Sequence, residues 1–351
     1  MFFVLYGVTG VVPLIAALYL LLRRGNAFAP GVTSPVRLRR WTAAFFGVAT
    51  LAHVWWLVFY CFSGDVHSMS YLVLAMADCV SLFTTFAGML FAMLQDRRRA
   101  LWPWLAGMLP FVLLAVVFMV YPMEIFQQIA AAYLVLLGLA FTAYMVFAIR
   151  QYGRWLNDNY ADLENKRVWL CQAVSLVCML LFVLYVLAVN MVFIWLIHII
   201  ELVLVGLLLW RVETLPTLEL PTQPENQQPT VIPVTIDLAH IEQQLKEHCV
   251  APQLYLQHDI TIEQLAQVIG TNRSYLSQYF SRQGITYNIY INNLRINHFI
   301  SRYQEVAATK QPFTVQQLAI ESGYRSYSTF SRAFTQRMGQ SVTAWMRDTG
   351  E

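Results

Sequence analysis

The chain opens with long uncharged apolar runs and closes with short amphipathic ones. Residues 1–22 carry no charge, and neither do residues 41–64, 100–123 or 125–149. Residues 66–95 carry only Asp78, and residues 168–210 only Glu201. A helix that crosses a bilayer needs about 20 mostly apolar residues. The last run, at 43 residues, is long enough for two such helices with a tight turn near Asn190. Seven spans are expected, at 2–22, 41–62, 70–94, 101–121, 128–149, 168–189 and 191–210. From Arg211 to Thr235 the pattern breaks into Gln, Thr and Glu around Pro216, Pro221, Pro224, Pro229 and Pro233. Such a stretch favours extended chain at about 3.1 Å per residue, a linker reaching up to roughly 70 Å.

Beyond the linker the apolar period becomes helical and the helices become short. Leu238, Ile241 and Leu245 mark a helix within residues 237–248. In ITIEQLAQVIGTNRSYLSQYFSRQG, residues 260–284, one helix face carries Ile262, Leu265, Ala266 and Ile269. Gly270 suits the left-handed turn that ends that helix, and Thr271 or Asn272 suits the cap of the next. Leu276, Tyr279 and Phe280 form the buried face of this second helix. Helix, glycine-containing turn and second helix make a helix-turn-helix unit, with the small Ala266 where the helices approach.

The unit occurs twice. In FTVQQLAIESGYRSYSTFSRAFTQRMG, residues 313–339, Leu318, Ala319 and Gly323 repeat Leu265, Ala266 and Gly270 at an offset of 53. Phe330 and Phe334 repeat Leu276 and Phe280 at 54, so the second turn is one residue longer. A helix over about Tyr287–Tyr303 joins the copies, with Ile291, Leu294, Ile296 and Phe299 on its buried faces. The fold class is all-α: a seven-span bundle over 1–210, a linker over 211–235 and a tandem helix-turn-helix domain over 236–351.

Composition separates the two halves. Overall the chain is 58% apolar and 12% charged, with a mean hydropathy of +0.51. Soluble domains carry about 25% charged residues, which excludes an ordinary soluble protein. Residues 1–210 hold 12 Lys/Arg and 8 Asp/Glu, whereas residues 211–351 hold 11 and 12. All twelve basic residues of the first half lie in three connections: Arg23 to Arg40, Arg97 to Arg99, and Arg150 to Arg167. The positive-inside rule puts these loops and the C-terminal domain in the cytoplasm and the N-terminus outside, in the inner (cytoplasmic) membrane. The first run lacks a basic start and is followed at once by Arg23 and Arg24, which favours a retained helix over a cleaved signal. The outer loops have about seven residues or fewer, too short for an outer sensor domain. Cys61, Cys79, Cys171, Cys178 and Cys249 form no CxxC or Cys/His cluster, so a metal finger is not expected.

LAQVIGTNRSYLSQYF, then INNLRI, then LAIESGYRSYSTFSRAFTQRMG carry a resemblance. Residues 236–348, about a third of the chain, resemble the DNA-binding domain of the AraC/XylS family of bacterial transcription regulators. The resemblance implies seven helices, a rigid helix joining two helix-turn-helix units, and recognition helices in successive major grooves, roughly 34 Å apart. It places the base-reading positions of the first recognition helix, about Arg273–Arg282, on Ser274, Ser277 and Gln278. Those of the second, about Ser326–Gln336, fall on Tyr327, Ser328, Ser331 and Arg332. Gln pairs with adenine, and Arg with guanine or phosphate. Arg273 and Arg325, at the helix starts, are phosphate candidates. Two features depart from the family: QSVTAW follows Gly339 where a proline usually precedes the last helix, and residues 236–350 balance ten Lys/Arg against eight Asp/Glu.

Ionisable residues inside a span are costly and often functional. Here they are His53, Asp78, His198 and Glu201. At 1.5 Å per residue they lie about 13, 12, 10 and 15 Å from the outer helix ends, one layer in the outer half of the bilayer. His198 and Glu201, three residues apart, share a helix face. These four define a candidate polar pocket between spans two, three and seven for a ligand or proton; the bland alternative is interhelical hydrogen bonding. A metal centre needs His53, His198 and a carboxylate to converge, which spacing does not show, so no metal or cofactor is assigned. The tryptophans lie mostly near span ends, where interfacial anchoring accounts for them.

The expected partners are double-stranded DNA and the lipid bilayer, with a small-molecule ligand, a partner membrane protein and a second copy of the chain as candidates. The expected function is a membrane-embedded one-component transcription regulator with the bundle as sensor. The alternative keeps the DNA-binding domain and makes the bundle a passive anchor or a dock for another membrane protein. An enzyme is not expected, because no HExxH, GxSxG or Walker pattern occurs. No repeated halves mark a transporter.

Overall fold

The computed structural model describes residues 2–23, 26–62, 64–65, 68–164, 166–187, 191–218, 238–309 and 312–350. Among them there is no strand, only an isolated antiparallel bridge between Tyr160 and Thr261. The chain forms two compact units. The first is Met1–Tyr152 with Asn165–Leu220, and the second is Gly153–Glu164 with Pro221–Glu351.

Apolar helices build the first unit: α1 (Phe2–Leu22), α2 (Val36–Phe62), α3 (Met69–Met93), α4 (Trp102–Val120), α5 (Glu124–Asn159, which runs on into the second unit), α6 (Trp169–Leu187) and α7 (Met191–Thr214). Over the described residues all but α6 are long and apolar enough to cross a membrane; in α6 that stretch is the shorter Trp169–Leu181. Only 11–28% of each spanning window is buried inside the protein, so the apolar side chains point outward, where only lipid would solvate them favourably. The expected turn near Asn190 lies outside the described residues.

Several helices outrun the apolar runs that predict them. α2 starts at Val36, ahead of Arg37, Arg39 and Arg40. Arg39 is then placed to donate to Leu20 O at 3.1 Å. α5 continues past Arg150 to Asn159, since Arg and Leu are good helix formers and no proline intervenes. α7 reaches Thr214, two residues short of Pro216, so the helix takes the first residues expected of the linker. The chain stays pinned a little further. Gln95 Nε2 donates to Pro216 O at 3.0 Å, and Leu218 N donates to Gln95 Oε1 at 2.9 Å. Residues 219–237, most of the expected linker, lie outside the described residues. Glu213 is fully buried, where Tyr19 Oη and Ala27 N donate to its Oε2 at 2.8 and 2.6 Å.

The described helices of the second unit, apart from the end of α5, are α8 (Leu238–Leu245, continued by a π turn over Lys246–Val250), α9 (Ile262–Val268), α10 (Arg273–Arg282), α11 (Tyr287–Thr309), α12 (Val315–Glu321), α13 (Tyr327–Met338) and α14 (Val342–Gly350). Side-chain caps start them. Thr261 makes a capping box with Gln264, and Asn272, Thr314 and Ser326 each accept from a backbone N–H of the first turn. Asn272, not Thr271, caps α10. Gly270 and Gly323 take φ of +70° and +88° in the two turns, the left-handed region that glycine enters without strain. Ser341 Oγ accepts from Ala344 N at 3.2 Å, so a serine cap starts α14 without the family's proline.

There are two cores, and α11 belongs to both. Its first half places Ile291 with Leu265, Leu276 and Phe280. Its second half places Phe299 with Leu318, Phe330 and Phe334. At the junction stands Arg295, 1% exposed. Its Nε donates to Tyr255 O at 2.7 Å, and one Nη donates to Gln257 O at 2.7 Å and His258 O at 3.3 Å. Burial lowers its pKa from the ordinary value. A buried charge is tolerable only with such partners.

Candidate functional sites

Within the second unit the recognition faces are set by the caps and cores. Leu276, Tyr279 and Phe280 turn α10 inward, which leaves Ser274 and Gln278 exposed and Ser277 half-buried. Phe330 and Phe334 do the same for α13, leaving Tyr327, Ser328 and Arg332 exposed and Ser331 half-buried. The expected base-reading residues are thus carried on two helices of equivalent design.

The phosphate candidates have protein partners. Arg273 Nε donates to Asn159 Oδ1 at 2.7 Å. Arg325 pairs with Asp259 and lies 3.8 Å from Asp162 Oδ2. Ser326 Oγ and Thr329 Oγ1, on the first turn of α13, donate to Glu164 Oε2 at 2.8 and 2.9 Å. Apart from Asp259, these groups come from one segment, Asn159–Glu164, which begins at the last residue of α5. It is seated on the domain through Ala161, whose N donates to Ile260 O at 3.4 Å and whose side chain joins the first core. Asn288 Nδ2 donates to Tyr160 O and Ala161 O at 3.1 and 2.7 Å. This segment had no role in the expected site. Its signal in the sequence is an acidic run, DNYADLE, inside an otherwise basic connection.

In the first unit three of the four intraspan residues converge. One ligand atom each from His53, His198 and Glu201 lies within 4.8 Å of the others. His53 Nε2 stands 3.5 Å and His198 Nδ1 3.8 Å from Glu201 Oε2. The first helix joins them, as the sequence did not indicate. Thr9 Oγ1 lies 3.0 Å from His53 Nε2 and 3.4 Å from His198 Nδ1. Tyr6 Oη donates to His53 O at 2.7 Å. Gly10 allows this approach, since a Cβ there would stand 3.3 Å from His53 Cβ. Asp78 is not in the cluster. It accepts from Trp56 Nε1, and only its field reaches His53 and Glu201. The pocket expected between α2, α3 and α7 is thus a cluster between α1, α2 and α7.

Two helix-turn-helix units on one connecting helix define a duplicated DNA-binding domain. Residues 265–348 match a family model described as a helix-turn-helix domain, and they form an AraC-type helix-turn-helix domain. No curated protein and no solved structure matches the chain significantly. The chain is a DNA-binding regulator whose N-terminal region consists of apolar helices of transmembrane character.

Proposed function

We propose that the protein is a membrane-embedded one-component transcription regulator in which the helical bundle receives the signal and the AraC-type domain binds specific duplex DNA. The observation that carries this reading is the AraC-type domain on a chain whose first 210 residues form apolar helices. Gln278 and Arg332 are the principal base readers, with Ser274, Ser277, Tyr327, Ser328 and Ser331 beside them. Arg273 and Arg325 serve phosphates. The three basic connections face the cytoplasm, which puts the DNA-binding domain on the side where DNA is.

The bundle is read as a sensor and not a bare anchor because two histidines and a carboxylate meet within it. Mechanical rigidity does not require such groups, and they are expensive in lipid.

Chromatin capture of the tagged full-length protein tests the DNA half. Recovery of a recurrent operator, lost in a Gln278→Ala, Arg332→Ala double variant that still accumulates in the membrane, supports it. A reporter on that operator tests the sensor half. His198→Gln or Glu201→Gln should lock transcription on or off at normal abundance, whereas indifference would identify an anchor.

A further inference from the structure

We propose that His53, His198 and Glu201, with Thr9, form a binding site for a first-row divalent cation, best matched by zinc. Two imidazoles and a carboxylate are a zinc donor set, with bonds of about 2.0–2.2 Å. Ligands on a tetrahedral ion of that size stand about 3.3–3.5 Å apart. The separations on Glu201 Oε2 are 3.5 and 3.8 Å, and those on Thr9 Oγ1 are 3.0 and 3.4 Å. They straddle that edge length.

Direct proton sharing fits less well. Charge-assisted hydrogen bonds between imidazole and carboxylate run at about 2.7–2.9 Å, and both His–Glu separations here are longer. The lone pairs also converge. His53 Nδ1 sits 2.8 Å from Ala49 O, which only accepts, so Nδ1 carries the hydrogen and Nε2 turns its lone pair to the cluster. That is the orientation in which ligating histidines are held. The Thr9 hydroxyl lies 2.9 Å from Tyr6 O, to which it donates, leaving its own lone pair on the same side. The donors sit on three helices, so an ion there would tie α1, α2 and α7 together.

This inference names the signal class of the sensor reading, and its test separates the two. Full-length protein in lipid nanodiscs is dialysed against zinc and its bound metal counted. Cobalt is then substituted as a spectroscopic probe of tetrahedral geometry. One zinc per chain and intense cobalt bands are expected. His198→Gln and Glu201→Gln should each weaken zinc binding by more than about 100-fold, beyond the loss of a supporting hydrogen bond. Glu124→Gln, an exposed carboxylate at the start of α5, should not. Absence of stoichiometric zinc in the unaltered protein overturns the site, as does zinc retained by both variants; the first needs no variant to fold. Zinc bound with a reporter indifferent to it leaves the site standing and overturns the sensor reading.

A separate observation carries a second proposal. We infer that Asn159–Glu164 is an autoinhibitory segment competing with DNA phosphates. Its groups occupy Arg273, Arg325 and the first turn of α13. A helix N-terminus is where a phosphate would bind, and there Glu164 presents a carboxylate in its place. The test uses the full chain in nanodiscs and a fluorescent random-sequence duplex of about 30 base pairs, which reads phosphate contacts alone. In an Asp162→Asn, Glu164→Gln variant the affinity should rise, and the slope of log K against log salt should steepen by about 0.9 for each arginine freed. Unchanged or lower affinity in that variant, and in an Asn159→Ala variant made separately, overturns the proposal.

Discussion

Gly270 and Gly323 occupy the same position in the two turns, with φ of +70° and +88°, yet their surroundings differ. A Cβ at Gly270 would meet nothing within 4 Å. A Cβ at Gly323 would stand 2.9 Å from Leu256 Cα, 2.9 Å from Leu256 O and 3.0 Å from Arg295 Nε. Two of those atoms are backbone, and the third belongs to a side chain fixed by three carbonyls, so none yields easily. A left-handed alanine costs about 1–2 kcal/mol, and both variants incur that. Overpacking adds about 1–3 kcal/mol, and only Gly323→Ala incurs it. Gly323 O also accepts from His258 Nδ1 at 3.0 Å if that nitrogen is protonated, so a shift of the turn strains a further contact. Hydrogen exchange on the full chain, read on peptides from 260–284 and 313–339, separates the cases. Each 1.4 kcal/mol of lost local stability speeds exchange about tenfold in the regime where opening is a pre-equilibrium. Gly270→Ala should accelerate its own unit by roughly tenfold, and Gly323→Ala should accelerate the second unit by a further five- to hundredfold. Equal acceleration in the two units would refute the steric reasoning and leave backbone conformation as the whole effect.

Three further outcomes are expected. Arg295→Met strands the carbonyls of Tyr255, Gln257 and His258, and should destabilise the domain by about 3–5 kcal/mol in denaturant unfolding; a loss under about 1 kcal/mol would mean water replaces the guanidinium. On a recovered operator, Gln278→Ala should lose about 1–3 kcal/mol of discrimination at one base pair while keeping the salt slope. A uniform loss across sequences would instead make Gln278 a backbone contact. Burial first, and the Arg302 charge second, lower the pKa of His298 below its ordinary 6.5. Its contribution to stability is therefore full above pH 6.5 and is lost as pH falls through the folded value. His298→Gln should flatten the pH–stability curve in that acid range, and an unchanged curve would discount the residue.

The doubled helix-turn-helix was legible because its determinants are local. A glycine at the turn, a capping residue two or three places on and an apolar triplet on each helix are all fixed by spacing along one segment. The intraspan site was only half legible. Rise per residue gives depth, so His53, His198 and Glu201 were placed in one layer. Depth does not say which helix face meets which neighbour. Asp78 shares that layer, but α3 presents it to Trp56. Thr9 passed unremarked because a hydroxyl in a span usually bonds its own helix, as this one also does to Tyr6 O. Arg295 was hidden for a related reason. In INNLRI it reads as a charged residue on a helix surface, and only the fold of Tyr255–His258 over α11 buries it. Helix ends failed where polar residues continue a helix past its apolar run, as at Arg150–Asn159 of α5.

Charge links the two proposals to how such a regulator can be switched. A strongly basic domain keeps a large sequence-independent attraction for DNA, because each neutralised phosphate releases counterions. Here residues 236–350 balance ten basic against eight acidic residues. Background affinity must then rest on a few well-placed arginines. Two of them, Arg273 and Arg325, have partners in the Asn159–Asp162 stretch. Withholding two contacts from a domain that makes about six to ten would be a minor adjustment. Withholding them from a nearly neutral domain removes most of its non-specific affinity, about 0.9 in salt slope for each. The low charge that sets this domain apart from an ordinary DNA binder is thus what makes a short acidic segment sufficient to control it. Adding two lysines to the exposed surface of α14 should therefore raise basal reporter transcription or repression and blunt the response to the segment variants. A basal level that stays put would show that background affinity does not limit the switch.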